Sequence, residues 1–311
     1  MSDFYTALPK AELHLHLEGS LDAGVIGELA PEVTAEEVAK RYRFGDFGGF
    51  IEAYKWAVGL LRSPADYALA ARRLFERLAA ERVSYAEVTL SAGVALWKQL
   101  DFAAVFDSVA EEAERAPVTV RWVLDAIRHF GPEHALAVAR LAAARADRGV
   151  VAYGLGGDEA RGPLEWFGDA FAVARDGGLK LVPHAGENTD AASVWAAVHA
   201  GAFRIGHGIR AVDDPDLMAA LRDGRIPLEI CVTSNVATGA VASAEAHPLR
   251  RLFEAGVPLI LNTDDPGMFA TTLAAEYRLA GERLGFSDAE LEGLAAESFG
   301  YACDLEAATL K

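Results

Sequence analysis

Eight short apolar segments punctuate the chain, and amphipathic, alanine-rich stretches lie between most of them. The segments are Glu12–Leu17, Tyr85–Leu90, Val118–Leu124, Val150–Leu155, Lys180–Pro183, Arg204–Ile205, Pro227–Cys231 and Pro258–Leu261. The fifth and sixth are very short. Their cores are β-branched or leucine-rich without clean polar–apolar alternation, the pattern of strands buried on both faces of a parallel sheet. Pro64–Arg82 opens after Ser63, an N-cap ahead of a proline at the first helical position. Phe102–Arg115, Glu133–Arg148, Leu164–Asp176, Ala191–His199, Pro215–Asp223 and Pro248–Ala255 follow the same logic. Gly149, Gly177, Gly201, Gly224 and Gly256 stand where a helix would stop and a strand begin. Strands alternating with helices predict an α/β fold, one (β/α)8 TIM barrel spanning residues 1–311. Leu21–Ser63 reads as an inserted helical segment after strand one, carrying Phe44, Phe47, Phe50, Tyr54 and Trp56, and residues past Ala270 as a helical C-terminal extension. A doubly wound open sheet is the competing arrangement, but no phosphate-binding glycine fingerprint follows the first strand.

Composition narrows the partners. Hydrophobic residues make up 52% of the 311, enough for a large core, and the net charge of −17 repels phosphate backbones and anionic lipid. A nucleic-acid or membrane binder is not expected. Two cysteines, Cys231 and Cys303, support neither a disulfide scaffold nor a four-cysteine zinc site. Met1 to Tyr5 shows no secretory signal, and no apolar run approaches the ~18 residues that span a bilayer. A cytoplasmic location is expected, and oligomeric state is not legible.

The placement of histidines and acids carries the chemistry. His14 and His16 are two apart in the first strand, so their side chains share one face. His184 and Glu187 follow the fifth strand, His207 the sixth, and Asp264 and Asp265 the eighth. In a barrel these strand ends converge on the C-terminal mouth, where such enzymes do their chemistry. Singly, each has a plainer reading as a core histidine, a turn former or a helix cap. Together, imidazoles from three strand ends and a carboxylate after the last resemble a catalytic zinc set with a position left for water. His134 and His199 fall in helices expected to be exposed and solvated. His247, before Pro248, is expected to cap a helix or line the mouth, and neither these nor His129 is assigned to the metal.

These segments resemble the adenosine deaminase family of the amidohydrolase superfamily. Lys10-Ala-Glu-Leu-His-Leu-His-Leu-Glu-Gly-Ser20 is similar to its opening metal motif. Gly156-Gly-Asp-Glu159, His184-Ala-Gly-Glu187, Ile205-Gly-His-Gly208, Ser234-Asn235 and Asn262-Thr-Asp-Asp-Pro266 are similar to later motifs, in the same order, across residues 8 to 280. The resemblance implies one Zn²⁺ per chain held by His14, His16, His184 and Asp264. It implies Glu187 as the acid/base on the purine ring and His207 as the group that orients the attacking water. It further implies Asp265 on N7, the backbone of Gly157 on N3, and Glu18 on the ribose side. The chemistry agrees: attack on C6 of an aminopurine builds negative charge at N1, so a carboxyl with a raised pKa is needed there to donate a proton. Cytidine-type zinc deaminases combine His-x-Glu with Pro-Cys-x-x-Cys; Cys231 and Cys303 stand too far apart to supply the second motif, so that fold is excluded. A two-metal lactonase would need a lysine at a strand end, and neither Lys98 nor Lys180 is read there.

The substrate motifs are mixed. Thr233-Ser-Asn-Val-Ala-Thr-Gly-Ala-Val241 resembles the bacterial nucleoside-deaminating branch, and Asp264-Asp-Pro-Gly-Met-Phe269 the branch acting on free adenine. Val232 replaces the usual proline after the strand-seven cysteine. The aromatics of the insertion and Leu90–Lys98 would form an apolar wall for the carboxyphenyl tail of 6-amino-6-deoxyfutalosine, with Lys98 or Lys55 for its carboxylate. The partner expected is therefore a small purine nucleoside, aminodeoxyfutalosine or adenosine, with adenine as an alternative. A zinc barrel that binds a purine without turning it over is disfavoured, because a binder has no use for Glu187 and Asp264 beside the metal.

Overall fold

The structure, a computed structural model, describes residues 3–309; Met1 and Ser2, where the reading of no secretory signal begins, lie outside the described residues. Each of the eight apolar segments forms a strand: β1 (Lys10–His16), β2 (Val83–Leu90), β3 (Thr119–Ile127), β4 (Val150–Gly156), β5 (Lys180–Ala185), β6 (Ile205–His207), β7 (Leu228–Ile230) and β8 (Leu259–Leu261). All neighbours are parallel, in the order β1 to β8. The ring closes between β8 and β1, where Asp264 N–H donates to His14 O at 3.0 Å and His16 N–H to Asp264 O at 2.8 Å. Asn262 Oδ1 accepts from the N–H groups of Leu13 and His14 at 2.9 and 3.1 Å, patching β1 where the ladder lapses. The architecture is the (β/α)8 barrel.

Helix starts obey local chemistry. Ser63 and Asp66 form a reciprocal capping box on Pro64–Ala80, and Asp101 caps Phe102–Arg115. The segment read as one helix from Glu133 to Arg148 divides into Pro132–Ala143 and a short 3-10 turn, Ala146–Arg148. The insertion folds into helices Ala23–Leu29, Ala35–Arg41 and Phe47–Val58, and the last lies over the barrel mouth. Outward residues such as Val88, Leu124 and Leu155 pack on Leu74, Phe106 and Val138 of the surrounding helices. His199 is exposed as expected. His134 is only half-exposed: both ring nitrogens are covered without a partner, and Phe130 in the preceding turn packs edge-on against the ring at 5.1 Å.

The barrel interior holds charge as well as apolar side chains. Arg204, fully buried, bonds Glu229 Oε1 at 2.5 Å and Glu87 Oε2 at 2.6 Å, while Nη1 donates to Tyr301 O at 2.8 Å. Glu87 also accepts from Tyr85 Oη at 2.8 Å and from the Cys303 N–H at 2.5 Å. The C-terminal extension thus closes the lower end of the barrel through this cation, with Ser298 Oγ accepting from the Ala11 N–H at 3.1 Å. Removing one member leaves buried charge without a partner. Arg204→Met is expected to cost about 3–5 kcal/mol, read as a lower urea midpoint; an unchanged midpoint would show that the two carboxylates simply take up protons.

Candidate active site and metal centre

Two features, one on β1 and one on β6, set the site. The alternation of β1 brings His14 and His16 to one side, with ring centroids 5.4 Å apart. Glycine at 206 then lets the rings crowd, since a Cβ there would lie 2.9 Å from His14 Cε1 and 3.2 Å from His184 Cγ. His184 and His207 lie inside β5 and at the end of β6 rather than after them, both strands running further than their apolar residues alone indicate. His14 and His184 rings meet at 4.6 Å, His14 and His207 at 5.2 Å. His207 and Asp264 both adopt left-handed backbone, φ 60° and 65°, a strained conformation for such residues that turns their side chains inward.

One donor atom from each of His14, His184, His207 and Asp264 falls within 4.8 Å of the others. His16 joins through Asp264: its Nε2 is 3.4 Å from Asp264 Oδ1, and His14 Nε2 is 3.3 Å from the same oxygen. His14 Nε2 and His184 Nδ1 are buried with no hydrogen-bond partner, as befits atoms meant for something the chain itself does not supply. Imidazoles and one carboxylate are the donors zinc prefers, so the residues fit that metal.

Around these donors stand groups that the sequence reading did not single out. Glu229 Oε2 lies 2.6 Å from His14 Nδ1, a carboxylate behind a histidine that orients the ring and fixes its tautomer. Arg128, buried, donates to Gly162 O at 2.9 Å and to the His184 carbonyl, anchoring the end of β5. Glu159, part of the quoted Gly-Gly-Asp-Glu run, accepts from the N–H groups of Gly186 and Glu187 at 2.8 Å and Asn188 at 3.1 Å, and so shapes the loop carrying Glu187. Asp125 on β3 is buried at the cavity edge with Oδ1 unpartnered. The available signal was an acid in an otherwise apolar strand, as in Leu228-Glu-Ile230 and Val123-Leu-Asp125.

Electrostatics separates the acids. Burial, reinforced by the Asp264 charge, pushes Glu187 well above the usual carboxylate range. Asp265 is raised likewise by burial and by Asp264. Burial also opposes ionisation of Asp264, but the His14 ring beside it, with the His207 and His16 rings, outweighs that cost, and the pKa stays low. Ser234 Oγ donates to Asp264 Oδ2 at 2.7 Å. Adjacent carboxyls are therefore driven in opposite directions, Glu187 and Asp265 toward the protonated form and Asp264 toward the ionised one.

A cavity of 370 Å³ opens over His16, His184, His207, Glu187, Asp264, Asp265 and Gly157. Glu18 stands back from its lining: the carboxyl is buried, Oε1 accepts from the Ser91 N–H at 3.0 Å, and Oε2 has no partner. Lys98 lines the cavity, but Nζ is committed to the Val58 carbonyl at 2.6 Å and to that of Leu61. Lys55 pairs with Glu52 at 2.7 Å on the rim.

The Adenosine deaminase family profile matches residues 9–305. The chain belongs to that family. An aminodeoxyfutalosine deaminase of Streptomyces avermitilis is 39% identical over 313 residues, covering 96% of this chain and 87% of its own. An adenine deaminase of Rhizobium leguminosarum bv. trifolii is 36% identical over 296 residues, covering 92% of each. The crystal structure of an adenine deaminase from Arthrobacter aurescens superposes with a TM-score of 0.89 at 28% identity, covering 97% of this chain and 98% of that one. This adenosine deaminase family member is a purine aminohydrolase, a hydrolase of C–N bonds. Among the described residues no helix is long and apolar enough to cross a membrane. Because Glu229 orients His14, Glu229→Ala is expected to weaken zinc retention about 10–100-fold; competition with a chromophoric chelator measures it, and wild-type retention would remove Glu229 from that role.

Proposed function

We propose that the protein hydrolytically removes the 6-amino group of an adenine nucleoside whose sugar carries a large aryl substituent, aminodeoxyfutalosine ahead of adenosine and free adenine. The observation that carries this reading is the wall of the cavity. Above the polar floor it is lined by Phe47, Phe50, Ile51, Tyr54, Val94, Trp97 and Phe130, an apolar surface that free adenine would leave unused. Trp97 is 63% exposed, yet its ring stacks on Phe130 at 5.9 Å and 11°, a flat platform at the mouth suited to another aromatic ring.

In this reading His14, His16, His184 and Asp264 hold one zinc ion. Bound there, zinc supplies the Lewis acidity that makes water a nucleophile at neutral pH. Glu187, kept protonated by burial, donates to N1 as charge builds on the ring. Asp264, kept ionised, accepts the proton from the attacking water, and His207 orients that water through Nε2, which faces Glu187 Oε2 at 3.7 Å and Asp264 Oδ2 at 3.8 Å. Protonated Asp265 donates to N7, and the Gly157 N–H donates to N3. Glu18, behind the lining with Oε2 free, is assigned to the sugar side by the family resemblance, and reaching the sugar requires its carboxyl to swing into the cavity. Asp264 passes the proton it took to the departing amine, Glu187 recovers one from the new hydroxyl, ammonia leaves, and the 6-oxo purine remains.

Glu187→Gln is expected to lower kcat by about 10²–10⁴-fold with zinc still bound; a variant keeping a tenth of the activity would exclude Glu187 as the proton donor. Since its pKa is raised, the required proton is present at neutral pH and lost as pH rises through that value, so wild-type kcat falls on the alkaline side. Ammonia release on zinc-loaded protein, compared over aminodeoxyfutalosine, adenosine and adenine, tests the substrate. The highest kcat/KM is expected on aminodeoxyfutalosine, and a preference for adenine would overturn the ranking. Trp97→Ala is expected to raise KM for the aryl nucleoside about 5–10-fold, a loss of roughly 1 kcal/mol of stacking, while leaving adenosine nearly unaffected.

A further inference from the structure

A chain of hydrogen bonds runs from the N-terminus of helix Leu249–Glu254 to the floor of the site. The Leu249 N–H donates to His247 Nδ1 at 3.1 Å. His247 Nε2 lies 3.1 Å from Asn235 Oδ1, and Asn235 Nδ2 lies 3.0 Å from His207 Nδ1. All three side chains are buried. The direction of every bond follows from the first. A backbone N–H only donates, so His247 Nδ1 is the bare nitrogen and the neutral ring carries its proton on Nε2. That proton goes to Asn235 Oδ1, which turns the amide N–H₂ toward His207. His207 Nδ1 must then accept, and the imidazole proton stands on Nε2, the atom that faces Glu187 and Asp264.

We propose that His247, acting through Asn235, is a positioning residue that locks His207 in the Nε2–H tautomer. Two consequences follow. The lock gives His207 a donor aimed at the reacting atoms. It also withholds the lone pair that a metal would need, so a ring whose geometry places it among the close donors stays off the metal and His16 completes the set. Burial holds the His247 ring neutral, its pKa lowered to about 3, so the start of the relay is not disturbed by charging near neutral pH. The kinetic part rests on the role proposed for His207; the tautomer itself does not.

The test is the ¹⁵N spectrum of the histidine rings in zinc-loaded protein, with the His207 signals assigned by their loss in His207→Asn. Wild type should show His207 Nδ1 as a bare nitrogen and Nε2 as a protonated one. Asn235→Asp, equal in size, replaces the amide donor with an acceptor and should invert the pattern, with kcat lower by about 100-fold. His247→Leu should mix the two forms and lower kcat about 10-fold with KM within twofold and zinc content unchanged. His247→Gln, which still offers an N–H to Asn235, should restore most of the loss. A His207 pattern that stays as in wild type in both Asn235→Asp and His247→Leu would overturn the relay. A pattern that inverts while kcat holds would keep the relay and remove His207 from the proposed chemistry instead.

Discussion

The constraint on which the site depends is the cost of keeping ionisable groups dry. His14, Glu229, Arg204 and Glu87 form a continuous line of short contacts through the barrel interior, from the mouth to the C-terminal closure. A lone carboxylate there would be heavily penalised, and Arg204 relieves Glu229 and Glu87 together. Glu229 remains ionised despite its burial because the Arg204 charge and the bond to His14 hold its pKa down. It can therefore present a carboxylate to His14 Nδ1. The extension beyond residue 270 thus has a part in the chemistry, since Tyr301 and Cys303 supply two of the contacts around Arg204 and Glu87.

The same logic, run in the other direction, separates the acids at the mouth. Glu187, Asp264 and Asp265 share one buried pocket, and they cannot all ionise. Histidines and Ser234 surround Asp264 and favour its ionised form, while burial pushes Glu187 and Asp265 toward the protonated one. In the proposed mechanism, one environment therefore yields both the acid and the base that hydrolytic deamination needs. Local backbone makes this possible. A Cβ on Gly19 would collide with the Asp265 carboxyl, so only glycine allows that side chain to lie where it does.

The fold was legible in the sequence because strand and helix periods are local properties. All eight apolar segments became strands, and Ala191–His199 matches its helix to the residue. Ends were less legible: β5 and β6 extend into His184 and His207, because a polar residue aimed into the barrel still joins the ladder. The partial cover over His134 was not legible either, since it comes from Phe130 in the preceding turn rather than from the helix period.

The sequence by itself determined the class of barrel, the clustering of His14, His16, His184, His207, Glu187, Asp264 and Asp265, and the family. Those follow from side-chain period, strand-end placement and motif order, all of them short-range. Only tertiary structure decided what stands behind each group. Glu229 is 215 residues from His14, Glu12 accepts from the Thr263 N–H across 251, and Arg204 gathers contacts from opposite ends of the chain. Protonation follows from burial and from neighbours brought together by closure of the ring, and no local pattern in the chain encodes it.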